Sequence, residues 1–282
     1  MILVLSDGNP RVHIKTPWVN HGLILVCCVI FAGQYFLDAP SIFAYGFFPV
    51  QFLEGGAVAT PLAETPWWLR AVTAVFMHGD LLHLVGNMLI LWVFGDNVED
   101  AVGHLRYLAF FVAIGVLGNL AHGLMTGTPM VPVIGASGAI AGVMGAYLLL
   151  HPRAWVLVVI LGRIPLVVPA GLAVGAHILI NLYFGFEPLL ASVKDVAETG
   201  VAWWAHIGGF AGGMALIGLI KKPDVALFQP SQRYGRYGMS GVFRWLLAPA
   251  DSAYDRMVDR QVLVIAKALA FGVTVFIVLD LL

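Results

Sequence analysis

The chain has 282 residues, 60% of them hydrophobic and 11% charged, with a mean hydropathy of +0.89 and a formal net charge of -1. A soluble domain carries about 25% charged residues, so this composition excludes an ordinary soluble protein and points to a membrane protein of several helical spans. The near-neutral balance suggests no nucleic-acid partner, and Cys27 and Cys28, adjacent inside one apolar run, make no disulfide framework.

In chain order, the N-terminal stretch MILVLSDGNP is a short apolar run followed by polar residues, so residues 1–21 are expected to be a cytoplasmic segment without a cleavable signal peptide. Apolar segments then predict spans at about 22–37, 81–96, 104–125, 137–151, 164–186, 204–220 and 261–282. Residues 38–80 form a long, greasy first outside loop. Pro and Gly interrupt it too often for a span, and its aromatics suggest a structure lying in the headgroup region. The stretch 221–260 reads as a basic cytoplasmic linker suited to anionic membrane lipid. The expected fold class is all-α: a polytopic membrane helix bundle with a six-helix core at 22–220 and one additional C-terminal transmembrane helix.

Basic residues orient the bundle. Arg11 and Lys15 precede the first span, Arg106 follows the second, Arg153 and Arg163 lie between the fourth and fifth, and Lys221, Lys222 and five arginines follow the sixth. All share one side if the spans alternate, which places the N-terminus in the cytoplasm and the C-terminus outside.

Depth arithmetic locates the polar residues. Ser137 lies fifteen residues before Pro152 at the cytoplasmic end, or about 22 Å at 1.5 Å per residue. Against a hydrocarbon core about 30 Å thick, the helix would begin roughly 8 Å below the outer face. The preceding PVIGA would then be non-helical backbone at membrane depth, tolerated only against protein or a water-filled cavity. A pocket opening outward is therefore expected. His206 lies fifteen residues before Lys221 and reaches the same level. His122 and His177 reach similar levels, so depth alone does not select the partner of Ser137. Packing favours His206. Gly138 and Gly142 form GxxxG on one helix, and Gly208 with Gly212 and Gly209 with Gly213 do so on the other, so the two can approach closely. A hydroxyl and an imidazole meeting there would be a nucleophile and its base.

His83 and Asn87, at i and i+4, share a helix face, and both can donate hydrogen bonds. Aimed at the serine, with the free N–H groups of its helix start, they would stabilise an oxyanion. A metal reading of His78, His83 and His206 finds no carboxylate or cysteine at a familiar spacing, so no metal or other cofactor is expected. The segment around Ser137 lacks the final glycine of G-x-S-x-G, which sets soluble serine hydrolases aside.

These residues resemble the rhomboid intramembrane serine proteases. The likeness runs from about Arg70 to Lys221: His78-x4-His83-x3-Asn87, then Gly135-Ala136-Ser137-Gly138, then Ala205-His206-Ile207-Gly208-Gly209. The resemblance implies a dyad of Ser137 as nucleophile and His206 as base. It makes His83, Asn87 and the Ser137 N–H the oxyanion donors, and Arg70 and Glu99 structural. It implies transmembrane segments of other membrane proteins as substrates, cut near the outer face of the plasma membrane after a small residue. Residues 164–203 would be gate and cap. Two positions depart from the family. Ala141 stands where an aromatic often stacks on the histidine, so Trp203 or Trp204 is expected to orient His206 instead. Trp68-Leu69-Arg70 replaces a Trp-Arg pair. The alternatives are an inactive relative that binds membrane proteins, which would ordinarily lack the serine or histidine, and a transporter, which would spread ionisable groups along a path.

Overall fold

The computed structural model describes residues 2–7, 9–36, 42–55, 65–160, 164–190 and 201–230. Strand β1 spans Ile2–Asp7, and helix α1 follows at Trp18–Phe36. Three short helices come next, α2 at Ile42–Tyr45, α3 at Pro49–Glu54 and α4 at Trp67–Thr73, the last continued by a 3-10 turn at Ala74–Phe76. Helices α5 (Leu81–Val102), α6 (His104–Met125) and α7 (Ser137–Leu150) precede a hairpin of β2 (Trp155–Ile160) and β3 (Ile164–Pro169). Helices α8 (Ala170–Leu190) and α9 (Trp203–Ile220) complete the described fold.

Helices α1, α5, α6 and α9 are long and apolar enough to cross a membrane, and α7 and α8 contribute shorter apolar stretches. The chain is thus a mostly helical, multi-pass membrane protein. Helix α7 lies at the centre, with Gly138 through Tyr147 all buried. Its 14 residues reach only about 21 Å. A helix surrounded by protein has no lipid face to match, so it can begin below the membrane surface without exposing its first turn to hydrocarbon.

Glycine sets the approach of α7 to α9. A Cβ on Gly138 would lie 3.3 Å from the Ala205 carbonyl oxygen, one on Gly142 2.9 Å from that of Gly209, and one on Gly209 2.9 Å from the Gly138 carbonyl carbon. The two glycine frames on α9 divide the work. Gly209 and Gly213 face α7, whereas Gly208 meets Ala121 and Gly212 meets Leu117 and Ile114, all on α6.

Charged residues inside the bundle are paired. The Glu99 carboxylate accepts from the N–H groups of Val19 (3.1 Å) and Asn20 (2.8 Å), capping α1, and it also meets the His104 ring. Asp100 accepts from the N–H groups of Val12, His13 and Ile14 at 3.0, 2.7 and 2.7 Å. Arg70 is buried and donates to the carbonyls of Thr65, Phe43 and Gly46, tying together the loop between α1 and α5. In that loop Phe47, Phe48, Ala71 and Ala74 are buried while Phe43, Leu53, Trp68 and Leu69 are exposed, so it has one packed face and one apolar outer face.

Several expectations need correction. The fold is not all-α, because β1, β2 and β3 form a three-stranded antiparallel sheet in that order. The predicted fifth span at 164–186 is divided: residues 164–169 are strand and the helix begins at Ala170. β-branched runs such as VLVVI favour strands, and Pro165 and Pro169 cannot sit inside a helix. The N-terminal apolar run pairs with β2, and the first span starts at Trp18 instead of 22. The start of the 221–260 linker packs on the bundle: Lys222 donates from Nζ to the Asp100 carbonyl, and the N–H groups of Phe228 and Gln229 donate to the carbonyls of Leu149 and Leu150. The rest of that linker, the predicted span at 261–282 and residues 191–200 of the implied cap lie outside the described residues.

Candidate active site

Ser137 opens α7, and the residue before it, Ala136, offers no side-chain cap. The serine hydroxyl is not used as a cap either, because it pairs with His206, whose Nε2 lies 2.7 Å from Ser137 Oγ. His206 stands in the first turn of α9, which starts at Trp203. The close α7–α9 contact brings two helix starts together, and it is Gly138, directly after Ser137, and Gly209, three residues after His206, that permit the approach.

The pair lines a cavity of about 680 Å³ together with His83, Asn87 and His122. Gly79, Asp80 and Leu82 are exposed and also line it, so the cavity reaches the surface. That is the opening the depth arithmetic required. His83 and Asn87 project from α5, whose start is capped by the Asp80 carboxylate accepting from the His83 N–H at 2.8 Å.

Gly135 explains how the α5 side chains come so near the serine. It has φ 114°, a conformation that suits glycine. A Cβ there would lie 2.7 Å from His83 Nε2 and 3.7 Å from Asn87 Nδ2. Both side chains thus press against the backbone two residues before Ser137. Asn87 is buried, and its Nδ2 has no hydrogen-bond partner among the described residues. A buried donor without a partner is costly to leave unmade, and this one sits at the cavity wall. The N–H groups of the first turn of α7 add donors that no helical carbonyl satisfies.

The other singled-out residues are placed as follows. His78 is buried beside His83, with the two rings edge to face at 67° and centroids 5.1 Å apart, and it does not line the cavity. Gly138 and Gly208 are packing positions against α9 and α6. His122 lines the cavity, and the His177 ring lies 6.3 Å from that of His206. All three histidines selected by depth therefore gather at one level, and the lateral packing of helices decides which meets the serine. Among the described residues no group of three His, Cys, Asp or Glu side chains could hold a metal ion.

The expected orientation of His206 by Trp203 is only partly met. The Trp203 ring stands perpendicular with its centroid 6.2 Å away, and it stacks on Phe184. The polar partner is Asn181 of α8, whose Oδ1 lies 2.6 Å from His206 Nδ1. Sequence reasoning missed Asn181. An intramembrane amide facing a histidine helix was the available signal, but neither residue's face can be assigned without the packing.

A model of the Rhomboid domain family matches residues 65–223. The chain belongs to the rhomboid family. Among its curated relatives, rhomboid protease GluP of Bacillus subtilis (strain 168) is 32% identical over 169 residues, covering 59% of this chain and 29% of GluP. RHOMBOID-like protein 5 of Arabidopsis thaliana is 28% identical over 176 residues, covering 62% of this chain and 52% of that protein. The chloroplastic rhomboid-like protein 11 of the same plant is 31% identical over 171 residues, covering 58% of this chain and 57% of that protein. In each case the match spans less than two thirds of the relative's own length.

Proposed function

We propose that this rhomboid-family chain is an intramembrane serine endopeptidase that hydrolyses transmembrane segments of other membrane proteins near the outer face of the plasma membrane. The observation that carries this reading is the 2.7 Å approach of His206 Nε2 to Ser137 Oγ at the wall of a surface-reaching cavity within an apolar helix bundle. Peptide hydrolysis needs water, which lipid excludes, and such a cavity supplies it.

Ser137 Oγ attacks the scissile carbonyl carbon while its proton passes to His206 Nε2. The electron pair displaced onto the carbonyl oxygen is held by Asn87, His83 and the Ser137 N–H. The imidazolium then protonates the amine nitrogen as the C–N bond breaks. Water, giving a proton to His206 Nε2, then attacks the acyl carbon, and the imidazolium returns a proton to Ser137 Oγ as the ester C–O bond breaks. The chemistry uses no metal or organic cofactor.

The membrane topology belongs to the same proposal. Helices α1, α5, α6, α7, α8 and α9 form the six-helix core. Arg11, Arg106 and Lys222 lie at the end of the bundle away from the dyad, bonding to Asp96, the Ile220 carbonyl and the Asp100 carbonyl. That distribution supports a cytoplasmic N-terminus and a site facing outward.

A fluorophosphonate probe in detergent tests the proposal, because its phosphorus takes the place of the scissile carbonyl and fluoride leaves. The wild-type protein is expected to label, and Ser137→Ala and His206→Ala are not. Labelling that persists in Ser137→Ala removes the assignment.

A further inference from the structure

We infer that Asn181 is the positioning residue of His206, fixing the tautomer in which the imidazole can accept the Ser137 proton; this rests on the dyad proposed above. Asn181 is 2% exposed and sits on α8, the only one of the three residues not at a helix start. Its Nδ2 donates to the His177 carbonyl at 2.8 Å, and its Oδ1 lies 2.6 Å from His206 Nδ1.

An amide has one donating end and one accepting end. The His177 carbonyl can only accept, so it takes the Nδ2 end and turns Oδ1 toward the histidine. An oxygen that only accepts obliges Nδ1 to carry the hydrogen. In a neutral imidazole the lone pair then lies on Nε2, the atom 2.7 Å from Ser137 Oγ. The other tautomer would aim an N–H at the hydroxyl and could take no proton from it. When Nε2 becomes protonated, the Nδ1–H bond to Oδ1 becomes charge-assisted and strengthens. A neutral amide achieves this without placing a carboxylate inside an apolar bundle, where an ionised group is costly. At Ala141, where the resemblance leads one to look for a stacking aromatic, only a methyl is present. The Trp203 edge supplies no hydrogen bond to the ring. Asn181 is thus the polar group that orients the imidazole.

Rates of fluorophosphonate labelling across pH test this in the full-length protein. The titratable groups facing His206 from the packed elements are His177 of α8, His83 of α5 and His122 of α6, and all stay unchanged in the variants used. Asn181→Leu is expected to label about 10- to 100-fold more slowly, the range for losing one hydrogen bond to a group that becomes charged. Asn181→Asp, which keeps the acceptor, is expected to recover labelling with its pH profile moved upward, because a carboxylate beside Nδ1 favours the imidazolium. A purely structural role would slow both variants alike and leave the profile in place, and that result overturns the inference. Wild-type rate and profile in Asn181→Leu also overturn it, while the dyad stands so long as Ser137→Ala and His206→Ala stay unlabelled. Labelling of those two controls sinks the dyad itself and this inference with it.

Discussion

Asn87 is a buried amide whose Nδ2 has no partner among the described residues, yet it lies beside the Gly135 backbone that leads into Ser137. A donor left unpaired costs stability in the resting protein, and in the proposed mechanism it would gain its partner when charge develops on a substrate oxygen. The two readouts should therefore separate. Asn87→Ala is expected to lower turnover of a transmembrane substrate by about 10²–10³-fold. Its melting temperature should stay level or rise. A variant that keeps full turnover removes Asn87 from the oxyanion site. The i, i+4 spacing of His83 and Asn87 was legible because it needs only helix geometry. Their closeness to the serine was not, because it depends on the left-handed turn at Gly135, which brings the loop backbone against both side chains.

At the scale of elements, the decisive contact is α7 against α9. GxxxG patterns announce close packing but do not say which of two overlapping frames faces which neighbour. The structure assigns Gly209 and Gly213 to α7, and Gly208 and Gly212 to α6. A Cβ at Gly209 would meet the Gly138 backbone, which cannot swing aside as a side chain can. Gly209→Ala is therefore expected to destabilise the protein by about 1–3 kcal/mol and to slow labelling, since it pushes apart the helices that bear Ser137 and His206. Gly218 lies further along α9 with nothing within 4 Å of an added Cβ. Gly218→Ala should be neutral, or stabilising by up to about 1 kcal/mol through helix propensity. Equal unfolding midpoints for the two variants, in denaturant or heat, would contradict this account of the α7–α9 seam. The hairpin of β2 and β3 teaches a related lesson. Its apolar, β-branched sequence satisfies a hydropathy window as well as a span does, and only the pairing with β1 and the two prolines show it to be a strand.

At the scale of the whole molecule, α7 joins the candidate site to a polar network at the other end of the bundle. From Ser137 to Tyr147 the helix rises about 15 Å, and the Tyr147 hydroxyl donates to Asp7 Oδ2 at 2.6 Å. Asn97 Nδ2 donates to the same oxygen at 3.0 Å and to Asp96 at 2.9 Å, while Arg11 pairs with Asp96 at 2.6 Å. Burial, with the Asp96 carboxylate as a second cause, pushes the Asp7 carboxyl well above the usual carboxylate range. The folded protein then holds a proton that the unfolded chain, titrating near about 4, has released. Stability contributed by neutral Asp7 is full below that value and is lost as pH rises through the raised folded value. Asp7→Asn keeps an acceptor for Tyr147 and Asn97 without the titration. Its melting temperature should gain on the wild type as pH rises from 4 to 7. Parallel curves for the two proteins would show that Asp7 is not held neutral.

The sequence by itself determined that the chain is a multi-span membrane protein, that Ser137 and His206 can reach a common depth, that His83 and Asn87 share a helix face, and that two glycine-faced helices can pack closely. These follow from composition, rise per residue and helical periodicity, which are local quantities. Only the tertiary structure decided which of three histidines meets the serine, that Asn181 of α8 holds the other face of that imidazole, and that an N-terminal strand closes a sheet with residues more than 140 positions away. Rotation of a helix about its axis and pairing across long sequence separations are set by how all the elements pack together, and no window of neighbouring residues encodes them.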